Sequence, residues 1–414
     1  MIKKSIWGKI IKEFSVEEIK IIKRNIKWEI PKIQRALTII GPRRAGKTFF
    51  MFQILKELKE KNAIYLNLED PRLIGCKLKD LLNFLEVYYE LYPERSREIN
   101  YFFLDEVQNV KNWEKFVRFL LDKNQKVVIS GSSSKLLSKE IATELRGRAI
   151  TVKVYPFSFK EIAKAKNLPV EKYLSTYEES IIKKNAKEYL EWGGYPEVVL
   201  NPSLRREILK EILDLTIYKD IVERWGIRNI KILKLLIKSL ATSTHLTVSK
   251  IYNNLKGLGY DIGKTTISNY LHYLEDSFIV YTLLPYEKSY KKQEMLGFKP
   301  YFIDNGILNI IGCSESKMLE NIVLVELLKN GYQEIYYYIT RKNKEIDFFV
   351  KEKNTLIETT YEAEKEHIKK VKDAMGELGV KKGYIITWDE ETVVKEKGKE
   401  IKIVPLWKWM LGFS

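Results

Sequence analysis

The chain has 414 residues, with 72 Lys plus Arg against 55 Asp plus Glu, a formal charge of +17. Its 45% hydrophobic and 12% aromatic content supplies apolar side chain for more than one core, which excludes a wholly disordered polypeptide. The longest uncharged stretches fall short of the roughly 18 to 20 apolar residues of a membrane helix, and two distant cysteines, Cys76 and Cys313, give neither a disulfide framework nor a thiolate zinc site. A cytoplasmic protein without a signal peptide or membrane span is expected. The excess of basic residues fits either an anionic partner or a lysine-rich proteome habit, and charge alone does not separate them.

In chain order, the first pattern is an apolar run at Leu37 to Ile40, a glycine loop at Gly41 to Thr48, and a helix continuing through Phe49 to Leu58. Strands at Ala63 to Leu68, Tyr101 to Leu104 and Lys126 to Ile129 alternate with helices at Leu78 to Leu91 and Trp113 to Asp122. This alternation predicts an α/β fold with a parallel sheet, bounded at residues 1–157. Helical patterns dominate residues 158–226 and are read as a lid. Three helical segments and two β-rich runs at 227–304 outline a winged helix. Residues 305–414 form a second α/β unit, with strands at Ile335 to Thr340, Glu345 to Lys351, Thr355 to Thr360 and Gly383 to Thr387.

Gly41-Pro42-Arg43-Arg44-Ala45-Gly46-Lys47-Thr48 matches G-x-x-x-x-G-K-[ST] between a strand and a helix. Glycines let backbone N–H groups and the helix N-terminus, through Phe49, face phosphates. Lys47 would reach the β and γ phosphates and Thr48 would hold magnesium. Tyr101-Phe102-Phe103-Leu104-Asp105-Glu106 is an apolar strand ending in two carboxylates. Asp105 would act on magnesium through water and Glu106 would orient and deprotonate the attacking water. Ser130, after the next apolar strand, could sense the γ phosphate. Arg146 and Arg148, beside Gly147, could stabilise transition-state charge in their own or a neighbouring subunit, or form surface ion pairs. No Asn-Lys-x-Asp element is present, which favours ATP over GTP.

These phrases, together with Trp113-Glu114, Ser130-Gly131-Ser132-Ser133, Tyr155 to Glu161 and Gly193-Gly194-Tyr195-Pro196-Glu197, resemble AAA-type P-loop ATPases of archaea and bacteria that carry a C-terminal domain of unknown function. That group is close to the archaeal ATPase and STAND-like families, and the likeness covers nearly the whole chain. The resemblance implies ATP and Mg2+ as cofactors. It also carries a nucleotide contact onto Gly194, Tyr195 and Pro196, where a plain helix-breaking turn is the alternative.

In the winged-helix region, Ile267, Leu271 and Leu274 should face inward, leaving Lys264, Thr265, Ser268, Asn269 and His272 outside. With Lys288, Lys291 and Lys292 on the wing, these side chains suit DNA; a lid or protein-contact role is the other reading. The last unit resembles the PD-(D/E)XK nuclease fold through Glu320, Asp347 and Glu358. Thr360 stands where active members have lysine, so the resemblance implies a degenerate, binding fold without cleavage. The leading expectation is an ATP-hydrolysing nucleotide switch on DNA. An ATP-gated DNA nuclease and a STAND-type signalling or scaffold ATPase with protein partners are the alternatives, and a homo-oligomer is compatible with each.

Overall fold

The computed structural model describes the chain except residues 1, 16, 18, 61, 132–144, 146, 172, 397 and 413–414 and the side chain of residue 290. Five consecutive buried residues, Ala36–Ile40, form β1, all apolar but Thr38, as expected of a strand covered on both faces. Around it lie β2 (Ala63–Asn67), β3 (Tyr101–Asp105), β4 (Lys126–Ser130) and β5 (Ala149–Lys153), in the order β2-β3-β4-β1-β5. Every pairing is parallel. Parallel neighbours need crossovers, and the helices Lys47–Leu58, Leu78–Leu91 and Trp113–Asp122 provide three of them. The C-terminal ends of β1, β3 and β4 therefore gather at one edge of the sheet, where ligands of such sheets bind.

Strand β5 is the element that apolar runs miss. It lies on the sheet edge, none of its residues is fully buried, and Ile150 is exposed. The N-terminal segment is a second surprise. The helix Lys4–Glu13 packs Trp7 against Phe84 at 5.3 Å. Phe14, Ile19, Ile21, Ile26, Trp28 and Ile30 then follow without regular structure and cover the core between the sheet and the helix Lys47–Leu58.

The chain forms two compact units, Met1–Tyr155 and Pro156–Ser414. The second begins with the helices Phe159–Ala165 and Thr176–Trp192, both opened by Ser–Glu capping boxes. The helix Arg205–Leu215 runs on as the π-helical stretch Thr216–Glu223. Next come the helices Ile230–Thr242, Val248–Gly257 and Lys264–Asp276, then an antiparallel pair, β6 (Val280–Leu283) and β7 (Lys299–Phe302), with Leu246 bridged to Phe298. A helix, Tyr290–Leu296, sits between β6 and β7, so Lys291 and Lys292 ride on a helical turn rather than a β wing.

The remainder is a mixed six-stranded sheet. Its strands are β8 (Ile335–Ile339), β9 (Glu345–Val350), β10 (Thr355–Thr359), β11 (Lys382–Thr387), β12 (Thr392–Glu396) and β13 (Lys399–Pro405), in the order β12-β13-β11-β10-β9-β8. The parallel pair β10 and β11 is joined by the helix Lys365–Leu378, whose Val371, Ala374 and Met375 pack on Ile346, Leu356, Ile385 and Ile401. The architecture is α/β: a parallel sheet of P-loop NTPase type, then helices, then a mixed-sheet unit. Among the described residues no helix is long and apolar enough to cross a membrane.

Candidate functional site

The loop after β1 is shaped by backbone demands that its residues meet. Gly41 has φ +155°, and a Cβ there would lie 2.0 Å from the Val154 carbonyl oxygen. Gly46 adopts φ 94° immediately before the helix Lys47–Leu58. Arg44 takes the left-handed region at φ 60°, which is costly for a side chain with a Cβ and marks a conformation imposed by its surroundings. Lys47 is 5% exposed, and its Nζ donates to the Gly41 oxygen at 3.2 Å and the Pro42 oxygen at 3.1 Å. The ammonium thus lies inside the loop, where a phosphate would meet it. Phe49 points outward and sets its ring edge against Phe52, so only its backbone could face a phosphate.

Asp105 closes β3 and collects three hydroxyl donors. Thr48 Oγ1 reaches Oδ2 at 2.7 Å, Tyr65 OH reaches the same oxygen at 2.8 Å, and Ser130 Oγ donates to Oδ1. Burial, with the Asp105 charge and hydrogen bond, pushes the Tyr65 phenol far up, so it stays a donor. Ser130 also accepts from the Glu106 backbone N–H at 3.2 Å. Its hydroxyl is therefore turned onto the two carboxylate residues. Glu106 sits in the left-handed region at φ 54°, and its carboxylate accepts from Gln108 Nε2.

Arg24 belongs to no sequence motif. It is 5% exposed, and its guanidinium donates to the Ala45 oxygen of the glycine loop at 3.0 Å and to the Tyr155 oxygen at 2.6 Å. Its backbone N–H donates to Gln53 Oε1 at 2.7 Å, and Gln53 Nε2 returns a bond to the Arg24 oxygen at 3.2 Å. The N-terminal segment thereby buttresses the loop and the helix behind it. A buried, multiply bonded arginine outside any periodic pattern leaves no sequence signal.

Arg148 does not join this cluster. It precedes β5, its carbonyl accepts from Ala36 N at the start of β1, and its guanidinium pairs with Asp122. Ala36 and Gly41 lie at opposite ends of β1, on the order of 16 Å apart along an extended strand. A role for Arg148 on a phosphate at its own loop is thus corrected to the far edge of the sheet. Arg146, and Ser132 to Glu144 with it, lie outside the described residues.

Gly194 and Pro196 belong to the second unit, and Gly194 is explained there by packing. The Gly194 N–H donates to Asp304 Oδ2 at 2.7 Å, its oxygen accepts from Phe157 N at 2.7 Å, and a Cβ would lie 2.1 Å from the Phe157 oxygen. Beside it, Glu326 accepts from Tyr189 OH and from Phe159 N at 3.2 Å, while Lys329 Nζ donates to the Phe157 oxygen at 2.8 Å. Two sequence phrases far apart, Phe157 to Phe159 and Gly193 to Pro196, thus converge on one buried polar centre. Burial raises Asp304 to about 6, opposed by Lys329 and by backbone N–H groups of Gly194, Gly306 and Ile307. A carboxyl raised in the folded state binds protons more readily there than when unfolded. Its contribution to stability is full below about 3.8 and is lost as pH rises through about 6, a loss of about 3 kcal/mol. Asp304→Asn should flatten the pH dependence of denaturant stability across that window; an unchanged slope would show that Asp304 does not titrate there.

The three carboxylates of the last unit are also brought together. Glu320 comes from the helix Glu315–Lys329, Asp347 from β9 and Glu358 from β10, joined by Glu345 and by two lysines, Lys299 and Lys370. Neither lysine was found from spacing, since one lies on β7 and the other on a helix. On the helix Lys264–Asp276, Lys264, Thr265, Ser268, Asn269 and His272 are exposed while Ile267, Leu271 and Leu274 are buried.

A strand–glycine loop–helix with a lysine in the loop, facing a hydroxyl-ringed carboxylate at the end of β3, defines a P-loop nucleotide-binding ATPase class. Profile comparison agrees: residues 33–163 match an AAA domain, residues 183–317 a domain of unknown function (DUF8612), and residues 315–409 a second one (DUF4143). An uncharacterised protein of Methanocaldococcus jannaschii is 38% identical over 421 residues, covering 96% of this chain and 92% of its own. One from Haemophilus influenzae is 34% identical over 332 residues, covering 77% and 80%. Among solved structures, a Walker-type ATPase of Pyrococcus abyssi matches at TM-score 0.42 and 15% identity, over 75% of this chain and 96% of that one. The chain belongs to the AAA-type P-loop ATPases that carry a C-terminal DUF4143 domain.

Proposed function

We propose that the chain hydrolyses ATP with Mg2+ and that its nucleotide state acts as a conformational switch on DNA, in a cytoplasmic setting. The observation that carries the hydrolytic reading is the ring of Thr48, Tyr65 and Ser130 hydroxyls on Asp105 next to the loop lysine. The Thr48 hydroxyl and the Asp105 carboxylate are hard oxygen donors 2.7 Å apart, a set that fits Mg2+. When bound, Mg2+ supplies charge neutralisation on the phosphates. Lys47 would exchange the Gly41 and Pro42 carbonyls for β- and γ-phosphate oxygens, and the loop N–H groups would add to it. Glu106 would orient and deprotonate the attacking water, with Gln108 and Ser130 fixing its position. Arg148, at the far sheet edge, would act across a homo-oligomer interface, as Arg146 could.

The division proposed is an ATPase core at 1–157, a helical lid at 158–226, a winged helix at 227–304 and a nuclease-like domain at 305–414. DNA contact is supported by the outward set Lys264, Thr265, Ser268, Asn269 and His272 and by exposed Lys288, Lys291 and Lys292. The test is Mg2+-dependent phosphate release with and without duplex DNA, together with DNA affinity across salt. Stimulation is expected. The log–log salt slope should fall by about 0.9 for each of Lys288, Lys291 and Lys292 replaced by alanine that touches a phosphate. Turnover indifferent to DNA, with no salt-dependent binding, would favour a signalling or scaffold ATPase with protein partners. An ATP-gated nuclease is the second reading; retention of Asp347 and Glu358 favours it, and Thr360 in the lysine position opposes it.

A further inference from the structure

The carboxylate cluster of the last unit is drawn from three elements. Glu345 and Asp347 alternate along β9 and so share one face of the sheet. Glu320 approaches from the helix Glu315–Lys329 and Glu358 from β10. Into the middle of this group projects Lys299 of β7, only 3% exposed. Its Nζ lies 2.7 Å from Glu345 Oε1 and 3.1 Å from Asp347 Oδ1, and it pairs with Glu320. An ammonium has three N–H donors and no acceptor, and three carboxylates take them.

Most of the oxygens a metal would need are committed elsewhere. Asp347 Oδ2 accepts from the Thr359 backbone N–H at 2.9 Å and from Thr359 Oγ1 at 2.7 Å. Glu320 accepts from Tyr301 OH at 2.5 Å, and one Glu358 oxygen holds Lys370. The other Glu358 oxygen is buried without a hydrogen-bond partner. Mg2+ demands near-octahedral oxygen ligation at about 2.0–2.1 Å, whereas these oxygens converge on nitrogen. Among the described residues no group of three or more His, Cys, Asp or Glu side chains is disposed to hold a metal. The nuclease-like fold implies a metal here, and the residues present do not fit one.

We propose that the Lys299 ammonium is the resident cation of this cluster, standing where a nuclease of similar fold would hold a divalent metal. The inference is independent of the nucleotide reading, because none of these residues belongs to the P-loop cluster. Desolvation works against the charge on Lys299, but Tyr301, Asp347, Glu320 and Glu345 outweigh it and hold its pKa well above the ordinary lysine value. The arrangement also has a mechanical result. Lys299 continues the strand segment whose Phe298 pairs with Leu246, so one ammonium ties the β6–β7 pair to the mixed sheet.

The test is Mn2+ binding to the full, nucleotide-free chain, read by electron paramagnetic resonance and by the shift in Tm. Wild type and Asp347→Asn should bind Mn2+ alike, because Asp347 has no metal to lose. Lys299→Met, which leaves the carboxylates and removes the ammonium, should gain one Mn2+ site at least about tenfold tighter than any in wild type, and Mn2+ should raise its Tm. Lys299→Arg should keep a cation in place and gain no site. Should Lys299→Met fail to fold alone, its recovery by refolding in Mn2+ is the expected outcome. Wild-type Mn2+ binding that Asp347→Asn abolishes would overturn the proposal whatever the Lys299 variants do, as would a folded Lys299→Met that gains no Mn2+.

Discussion

Lys47→Ala is expected to lower Mg2+-dependent ATP turnover by about 10²–10³-fold or more, the cost of one preorganised electrostatic donor, and to weaken nucleotide binding with it. The reasoning is local. The Lys47 ammonium is held inside the loop by two backbone carbonyls, so it is already placed for phosphate oxygens and needs no large rearrangement. Glu106→Gln should separate binding from chemistry. The amide keeps the size of the side chain and can still meet Gln108, but it cannot take a proton, so ATP should bind while phosphate release collapses. Phosphate-release kinetics beside equilibrium binding of ATP would check both. Undiminished turnover in Glu106→Gln would remove Glu106 from the role of base and direct attention to its neighbours.

Gly194→Ala should be among the most damaging single-methyl substitutions in the molecule. The added Cβ would lie 2.1 Å from the Phe157 carbonyl oxygen and 3.1 Å from the Tyr189 ring, and the nearest atom is backbone, which cannot swing aside. Relief requires moving the turn, which breaks the Phe157–Gly194 and Gly194–Asp304 hydrogen bonds and leaves the Asp304 carboxylate short of a donor. Overpacking costs about 1–3 kcal/mol, and each buried group left without its partner adds about 1–3 kcal/mol. A loss of about 3 kcal/mol or more is expected by denaturant unfolding. A wild-type midpoint for Gly194→Ala would show that the turn is looser than its packing implies.

How far the sequence could be read depends on what kind of signal each element leaves. The glycine loop, the strand ending in Asp105-Glu106 and the strand ending in Ser130 are contiguous, and contiguous residues carry their geometry in spacing. The structure places them together through β3 and β4, with Ser130 bridging Asp105 and Glu106. Amphipathic helices were equally legible, because Ile267, Leu271 and Leu274 repeat at helical spacing and are buried. What spacing cannot encode is a partner from a distant strand. Lys299 meets Asp347 across 48 positions, and Arg24 meets Tyr155 across 131. Strand β5 went unread because an edge strand buries too little to force an apolar run. Arg148 stands beside a glycine in sequence, whereas the parallel register of β5 with β1 sends it to the end of the sheet opposite the glycine loop.

Because Arg24 and the side chains of Phe14, Ile19, Ile21, Ile26, Trp28 and Ile30 serve the core that the AAA match from residue 33 only partly covers, an excised fragment starting at that match would be a poor stand-in for the ATPase. It would leave the Ala45 and Tyr155 carbonyls without the guanidinium that joins them and would open the back of the helix Lys47–Leu58 to solvent. A protease cutting between residues 14 and 30 would loosen the same contacts in an intact chain, so the amount of uncut chain and nucleotide affinity should fall together along one time course. The leading segment is thus part of the frame that holds the glycine loop, and dissection of the molecule has to begin upstream of it.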